Sequence, residues 1–140
     1  MTTPRHQARE AALQVLYFWE VGRTDPDQAL EAYFREYQPE APEAVRAFAT
    51  ELVHGTVAAL EELDRLIVQH SAHWRLERLA VIDRLILRMA AWELQHHTDT
   101  PAAVVLNEAL ELARTFSTDD SVRFVNGVLD GVRKALAREA

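Results

Sequence analysis

Apolar residues recur along this chain at intervals of three and four, and almost nothing interrupts them. The segment around Leu79, Ile82, Leu85, Ile86, Met89 and Ala90 is the clearest case. At about 100° per residue these positions form one stripe on a helix. Val81, Leu87, Trp92 and Leu94 widen that stripe beyond what a surface helix needs, so this segment is expected at the centre of a core. A second stripe, Val122, Val125, Leu129, Val132 and Leu136, runs towards the C-terminus. Strand-type alternation is hard to find, and only four glycines and five prolines break 140 residues. The fold class is therefore all-α.

Breakers and caps divide the chain into about seven helices. The first is predicted from Pro4 to Val21, ended by Gly22 and Asp25-Pro26, and the second from Pro26 to Tyr37, closed by Pro39 and Pro42. A long periodic stretch from Pro42 to about His70 has Gly55 in its middle, which predicts two helices or a kink there. The fifth helix is expected over Leu76–His97. The sixth starts at Pro101, with Thr100 or Asp99 as cap. The seventh follows the cap-rich run Ser117-Thr118-Asp119-Asp120-Ser121. One domain over residues 1–140 is expected, with helical-bundle subdomains near 1–70 and 71–140.

Several function classes drop out. Without cysteine there are no disulfides, thiolate metal sites or cysteine nucleophiles. No apolar run approaches a membrane span and no signal-peptide stretch opens the chain, so a cytoplasmic protein without membrane contact is the expectation. No nucleophile-elbow motif or glycine-rich phosphate loop occurs, so the reading is a binding protein, not an enzyme, with no cofactor.

Two Glu-x-x-His pairs, Glu51/His54 and Glu93/His96, have half the spacing pattern of a carboxylate-bridged di-iron bundle. Glu51 and His54 fall opposite their helix's apolar stripe, so only one pair faces inward and no metal site is expected. His70-x-x-His73 lacks a visible third ligand and reads as a polar helix end. Asn107 and Asn126, flanked by apolar residues, read as buried amides bridging helices. Phe124 lies about a quarter turn off the last stripe, above Gly127 and Gly131. It is either packed on a neighbouring helix, which the wheel favours, or an aromatic left partly open for a ligand.

Charge sharpens the binding reading. The formal net charge of −7 argues against a nucleic-acid partner at first. Yet residues 25–64 hold ten acids and two bases, and the rest of the chain is near balance with thirteen bases and twelve acids. Fourteen of the fifteen bases are arginine, which forks onto phosphate and stacks on bases. A general preference for arginine over lysine accounts for that count equally well.

Four blocks, in order, resemble the NusB family of bacterial transcription antitermination factors. They are Arg9-Glu10-x-Ala12-x-Gln14-x-Leu16-Tyr17; Trp74-Arg75-Leu76-x-Arg78-Leu79 with Asp83-Arg84-x-Ile86-Leu87-Arg88-x-Ala90-x-x-Glu93-Leu94; Thr100-Pro101 with Val105-Leu106-Asn107-Glu108-Ala109-x-Glu111-Leu112-Ala113-x-x-Phe116; and Asp120-Ser121-x-x-Phe124-Val125-Asn126-Gly127-Val128-Leu129-Asp130. The last is the most specific, and residues 22–50 match weakly. The resemblance implies two three-helix-bundle-like subdomains and binding of the single-stranded boxA element of ribosomal RNA leader transcripts. It implies ribosomal protein NusE as partner, and with other Nus factors an RNA polymerase elongation complex made processive.

By the same resemblance, the RNA-contacting positions are Arg5, His6, Arg9, Tyr17, Arg88, Asp120 and Phe124, and the NusE face lies around Asp83. Phe124 and Tyr17 would stack bases, Asp120 would accept from a base amino group or instead cap the last helix, and the arginines would meet phosphate. The family often carries a denser arginine run where Pro4-Arg5-His6-Gln7 stands, so fewer phosphate contacts and weaker RNA affinity without the partner are expected. NusB-like domains also occur fused to ribosomal RNA methyltransferases. With no catalytic domain before Ala140, a freestanding factor is the expectation. A bundle that touches only protein is the remaining rival.

Overall fold

The computed structural model describes residues 3–71 and 78–138. Seven α-helices and no strand occur among them: α1 (Pro4–Gly22), α2 (Pro26–Tyr37), α3 (Glu43–Ala58), α4 (Leu60–Val68), α5 (Val81–His96), α6 (Ala102–Phe116) and α7 (Asp119–Ala135). They form two compact units, Met1–Ala58 and Ala59–Ala140. The division falls between Ala58 and Ala59 rather than near residue 70, because α4 packs on α5 and α7.

In the first unit α1 packs chiefly on α3 and also on α2. The Thr3 side chain caps α1 by accepting from the His6 N–H at 3.0 Å, and Pro4 follows at the first helical position, where a missing N–H is harmless. The left-handed residue that ends α1 is Arg23 (φ 53°), one past Gly22. Asp25 caps α2 by accepting from Asp27 and Gln28 N–H groups. α3 runs unbroken through Gly55, since its buried stripe (Val45, Phe48, Ala49, Leu52, Val53, Thr56) continues past the glycine. The break comes at Ala59 (φ −106°, ψ 20°), so two helices do form but not at the residue expected.

In the second unit α5 is the hub, packed on α4, α6 and α7. Every residue from Leu85 to Leu94 is buried, which is the central core helix that its widened stripe predicts. Burying the apolar side chains of this run favours folding, with Arg88 and Glu93 as the charged groups buried among them. α5 begins at Val81, after an extended Ala80; Leu76, where the expected helix began, lies outside the described residues, as do His73, Trp74 and Arg75. α6 starts at Ala102 with Pro101 at the cap position and no side-chain cap, so neither Thr100 nor Asp99 caps it. Asn107 and Asn126 are both exposed, not buried. They lie on the outer faces of α6 and α7, where water can satisfy a mid-helix asparagine's amide.

A candidate RNA-binding site

The two Glu-x-x-His pairs belong to different units and differ in setting. Glu51 and His54 are exposed, and His54 Nε2 lies 2.5 Å from Asp27 Oδ1. Glu93 is buried, whereas His96 is exposed and stacks on Trp92 with ring centroids 5.2 Å apart.

In the first unit the N-terminal basic residues diverge in role. Arg5 is exposed, with its guanidinium 4.1 Å above the Phe48 ring, leaving its outer edge open to solvent. His6 is half-buried and 3.6 Å from Glu10. Arg9 is only 3% exposed and lies 5.4 Å from the same Phe48 ring. The first turns of α1 thus lie on α3 through contacts of two arginines with Phe48, and Arg9 is a buried member of that cluster and not a surface cation. Tyr17, 37% exposed, makes a T-shaped contact with the Phe18 ring, with centroids 6.2 Å apart.

In the second unit a cavity of about 270 Å³ is lined by Arg78, Leu79, Ala80, Asp83, Asp120, Ser121 and Phe124. It gathers three of the residues expected at a site, and their positions follow from the start of α7. Thr118 is the cap, accepting from the Ser121 N–H at 3.1 Å, so Asp120 does not cap the helix. Asp120 stands exposed in the first turn and pairs with Arg123 one turn on. Phe124 is half-buried, between the two settings its wheel position allowed.

Asp83 is 7% exposed, and its two oxygens accept from Ser117 and Ser121 hydroxyls at 2.7 Å each. Its carboxylate ties the α6–α7 turn to the first turn of α5, so its work is inside the fold and the surface open to a partner is that of its neighbours. Arg88 departs further from expectation. It is 6% exposed, and Nε and Nη2 meet both oxygens of Asp64 at 2.7 and 2.9 Å. This two-point pair fastens α5 to α4 and does not offer the guanidinium to phosphate. Arg78, exposed at the cavity rim, is the cation the residue-by-residue reading missed. Its signal was its place in the Trp74-to-Leu79 block.

The spacing of glycines on α7 has a different meaning from the one Phe124 suggested. A Cβ at Gly131 would lie 2.8 Å from His70 Nδ1, so this glycine admits the histidine of the turn that follows α4; Gly127 faces open space.

Two helical units, an aromatic-and-carboxylate cavity lined also by an arginine, and an exposed arginine on an aromatic platform define an all-helical protein with surfaces fit for a ligand. A model of the NusB family matches residues 6–134. The chain is 47% identical over 133 residues to a transcription antitermination protein NusB of Solibacter usitatus, covering 94% of this chain and 90% of that one. It is 48% identical over 138 residues to its counterpart in Symbiobacterium thermophilum, with the same coverage. Among solved structures, T. maritima NusB superimposes with a TM-score of 0.87 at 35% identity, over 96% of this chain and 93% of that chain. A chain from the crystal structure of antitermination factors NusB and NusE in complex with dsRNA superimposes with a TM-score of 0.87 at 27% identity, covering 96% and 99%. This chain belongs to the NusB family.

Proposed function

We infer that the protein is a transcription antitermination factor that acts by binding, without catalysis, in the cytoplasm. It takes the single-stranded boxA element of nascent ribosomal RNA leader transcripts together with ribosomal protein NusE, and with other Nus factors keeps RNA polymerase elongating. Membership of the NusB family and the likeness to a NusB–NusE–RNA assembly support this reading. The observation that carries it to particular atoms is the cavity beside Phe124. A splayed base entering there meets an aromatic face, the Asp120 carboxylate as acceptor for an amino group, and Arg78 for the adjoining phosphate. On the first unit, taken by itself, Arg5 offers a phosphate contact and Tyr17 a stacking face. In this reading NusE docks on the surface around buried Asp83, and Arg9 and Arg88 support the fold beneath the RNA.

Fluorescence anisotropy with a boxA oligonucleotide, with and without NusE, tests it. Loss of one stacked base is worth about 1–3 kcal/mol, so Phe124→Ala is expected to weaken binding by about tenfold or more. Its helical circular dichroism and melting should stay near wild type, because the ring is only half-buried. Absence of binding at low salt, with or without NusE, would overturn the function. Wild-type affinity of the Phe124→Ala protein would remove the cavity from the RNA path. A duplex of the same sequence, run beside the single strand, separates base readout from recognition of helical shape.

A further inference from the structure

The first unit carries a second concave surface that no RNA reading uses. A groove of about 600 Å³ is lined by Phe18 and Gly22 of α1 and by Glu31, Tyr33, Glu36 and Tyr37 of α2, among others. Phe18 and Tyr37 stand nearly parallel, 9° apart with centroids separated by 6.1 Å, and Tyr33 is tilted against Tyr37 at 5.5 Å. Tyr33 is buried at the groove floor, but the other two rings are not core: Phe18 is 40% and Tyr37 65% exposed, and Val21, one turn beyond Phe18, is exposed too. Open apolar surface in one contiguous patch marks an interaction site more than it marks packing.

Charge settles what the groove can hold. Residues 20–43 contain seven acids (Glu20, Asp25, Asp27, Glu31, Glu36, Glu40, Glu43) against Arg23 and Arg35. Phosphate is repelled there. The cation on the groove wall, Arg35, reaches Glu31 at 3.7 Å and Glu36 at 3.6 Å, with all three side chains more than half exposed. Such loose, hydrated pairs are worth little and exchange readily. An incoming guanidinium can displace Arg35 from either carboxylate, stack its plane on the Tyr37 or Phe18 face, and gain both interactions at once.

We propose that the α1–α2 groove docks an arginine-rich amphipathic segment of a protein partner, with arginines on Glu31, Glu36 and the Phe18–Tyr37 rings and apolar side chains over Gly22 and Val21. The acidic α2 segment is then a protein-docking face, while the arginines of the chain serve elsewhere.

The test uses the full chain, 15N-labelled, titrated with a short peptide alternating arginine with leucine, and with a counterpart in which glutamate replaces every arginine. The expected result is saturable shifts of Phe18, Val21, Glu31, Glu36 and Tyr37 amides with the arginine peptide only. Tyr37→Ala and Glu31→Gln/Glu36→Gln, all at exposed positions, should each weaken that binding by about tenfold while leaving boxA RNA affinity as it was. Shifts scattered over the acidic surface without saturation, equal binding by the glutamate peptide, unchanged affinity in the Tyr37→Ala protein, or displacement of the peptide by single-stranded RNA at these same amides would each overturn the proposal.

Discussion

Asp83 and Ser121 are 38 positions apart in the chain, yet the Ser121 hydroxyl donates to the Asp83 carboxylate at 2.7 Å. Ser117 completes the arrangement at 2.7 Å on the other oxygen, so one buried carboxylate at the start of α5 fixes the start of α7, where Asp120 and Phe124 stand. Removing the acceptor leaves two hydroxyls to find new partners; losses of this kind cost about 1–3 kcal/mol. Asp83→Ala is therefore expected to lower stability by about that amount and to weaken RNA binding, although Asp83 itself is nearly inaccessible. The double substitution Ser117→Ala/Ser121→Ala strands the same carboxylate and should reproduce both effects. Denaturant unfolding and RNA titration of the two proteins check this; a fully stable Asp83→Ala protein that fails to bind would instead make Asp83 a direct contact.

The arginines divide between ligand and fold. Each phosphate contact to a single strand contributes about 0.7 to the slope of log affinity against log salt. Arg5→Gln should lower that slope by about 0.7 with little change in melting, since Arg5 is exposed. Arg9→Gln should chiefly lower melting, through loss of a buried stem and of its contact with Phe48. Arg88→Ala leaves Asp64 without its two-point partner, and should cost about 3 kcal/mol by the scale of buried pairs. Melting curves and salt titrations of the three proteins separate the roles.

The two glycines of α7 should respond in opposite directions to the same change. Gly127 faces open space, so Gly127→Ala should stabilise the helix by about 0.5–1 kcal/mol through lower chain entropy. Gly131→Ala places a methyl 2.8 Å from His70 Nδ1 and 3.2 Å from its Cβ, so the imidazole must move and the gain is lost or reversed. Thermal melts of the pair measure the difference directly.

Tyr33 gives the alkaline limb of the stability profile. Burial holds its phenol above the usual value of 10.0, partly countered by the hydrogen bond from Gln38 Nε2 at 2.8 Å. A raised pKa in the folded state means that the unfolded chain loses this proton first. The stabilisation is complete below pH 10.0 and declines as pH rises through the folded-state value. Tyr33→Phe should flatten that decline while losing the Gln38 bond at every pH. Urea unfolding measured on both sides of pH 10 reads the effect.

Much of this architecture is written in local pattern. The period of three and four placed α5 at the core, and the burial of all ten residues from Leu85 to Leu94 agrees. Prolines and caps marked α1 and α2 nearly to the residue, because a cap acts within one turn of itself. Gly55 misled, since a weak propensity penalty yields to a buried stripe that continues beyond it. The asparagines misled for a related reason: apolar neighbours in sequence lie about 100° away on the wheel, so they do not fix which side the amide faces.

The sequence by itself determined the helical class, the central helix and, through ordered blocks, the family. Tertiary structure decided which charges are available. Arg5, Arg9 and Arg88 are alike as letters; one is exposed, one lies inward over Phe48, and one is held by an aspartate 24 residues away. The Asp83–Ser121 bond and the Phe18–Tyr37 stack also join residues far apart in the chain. Helical periodicity is a property of neighbours within a turn or two, whereas burial and ion pairing depend on which turns meet. Only the packed chain fixes that, and with it the surfaces left for a ligand.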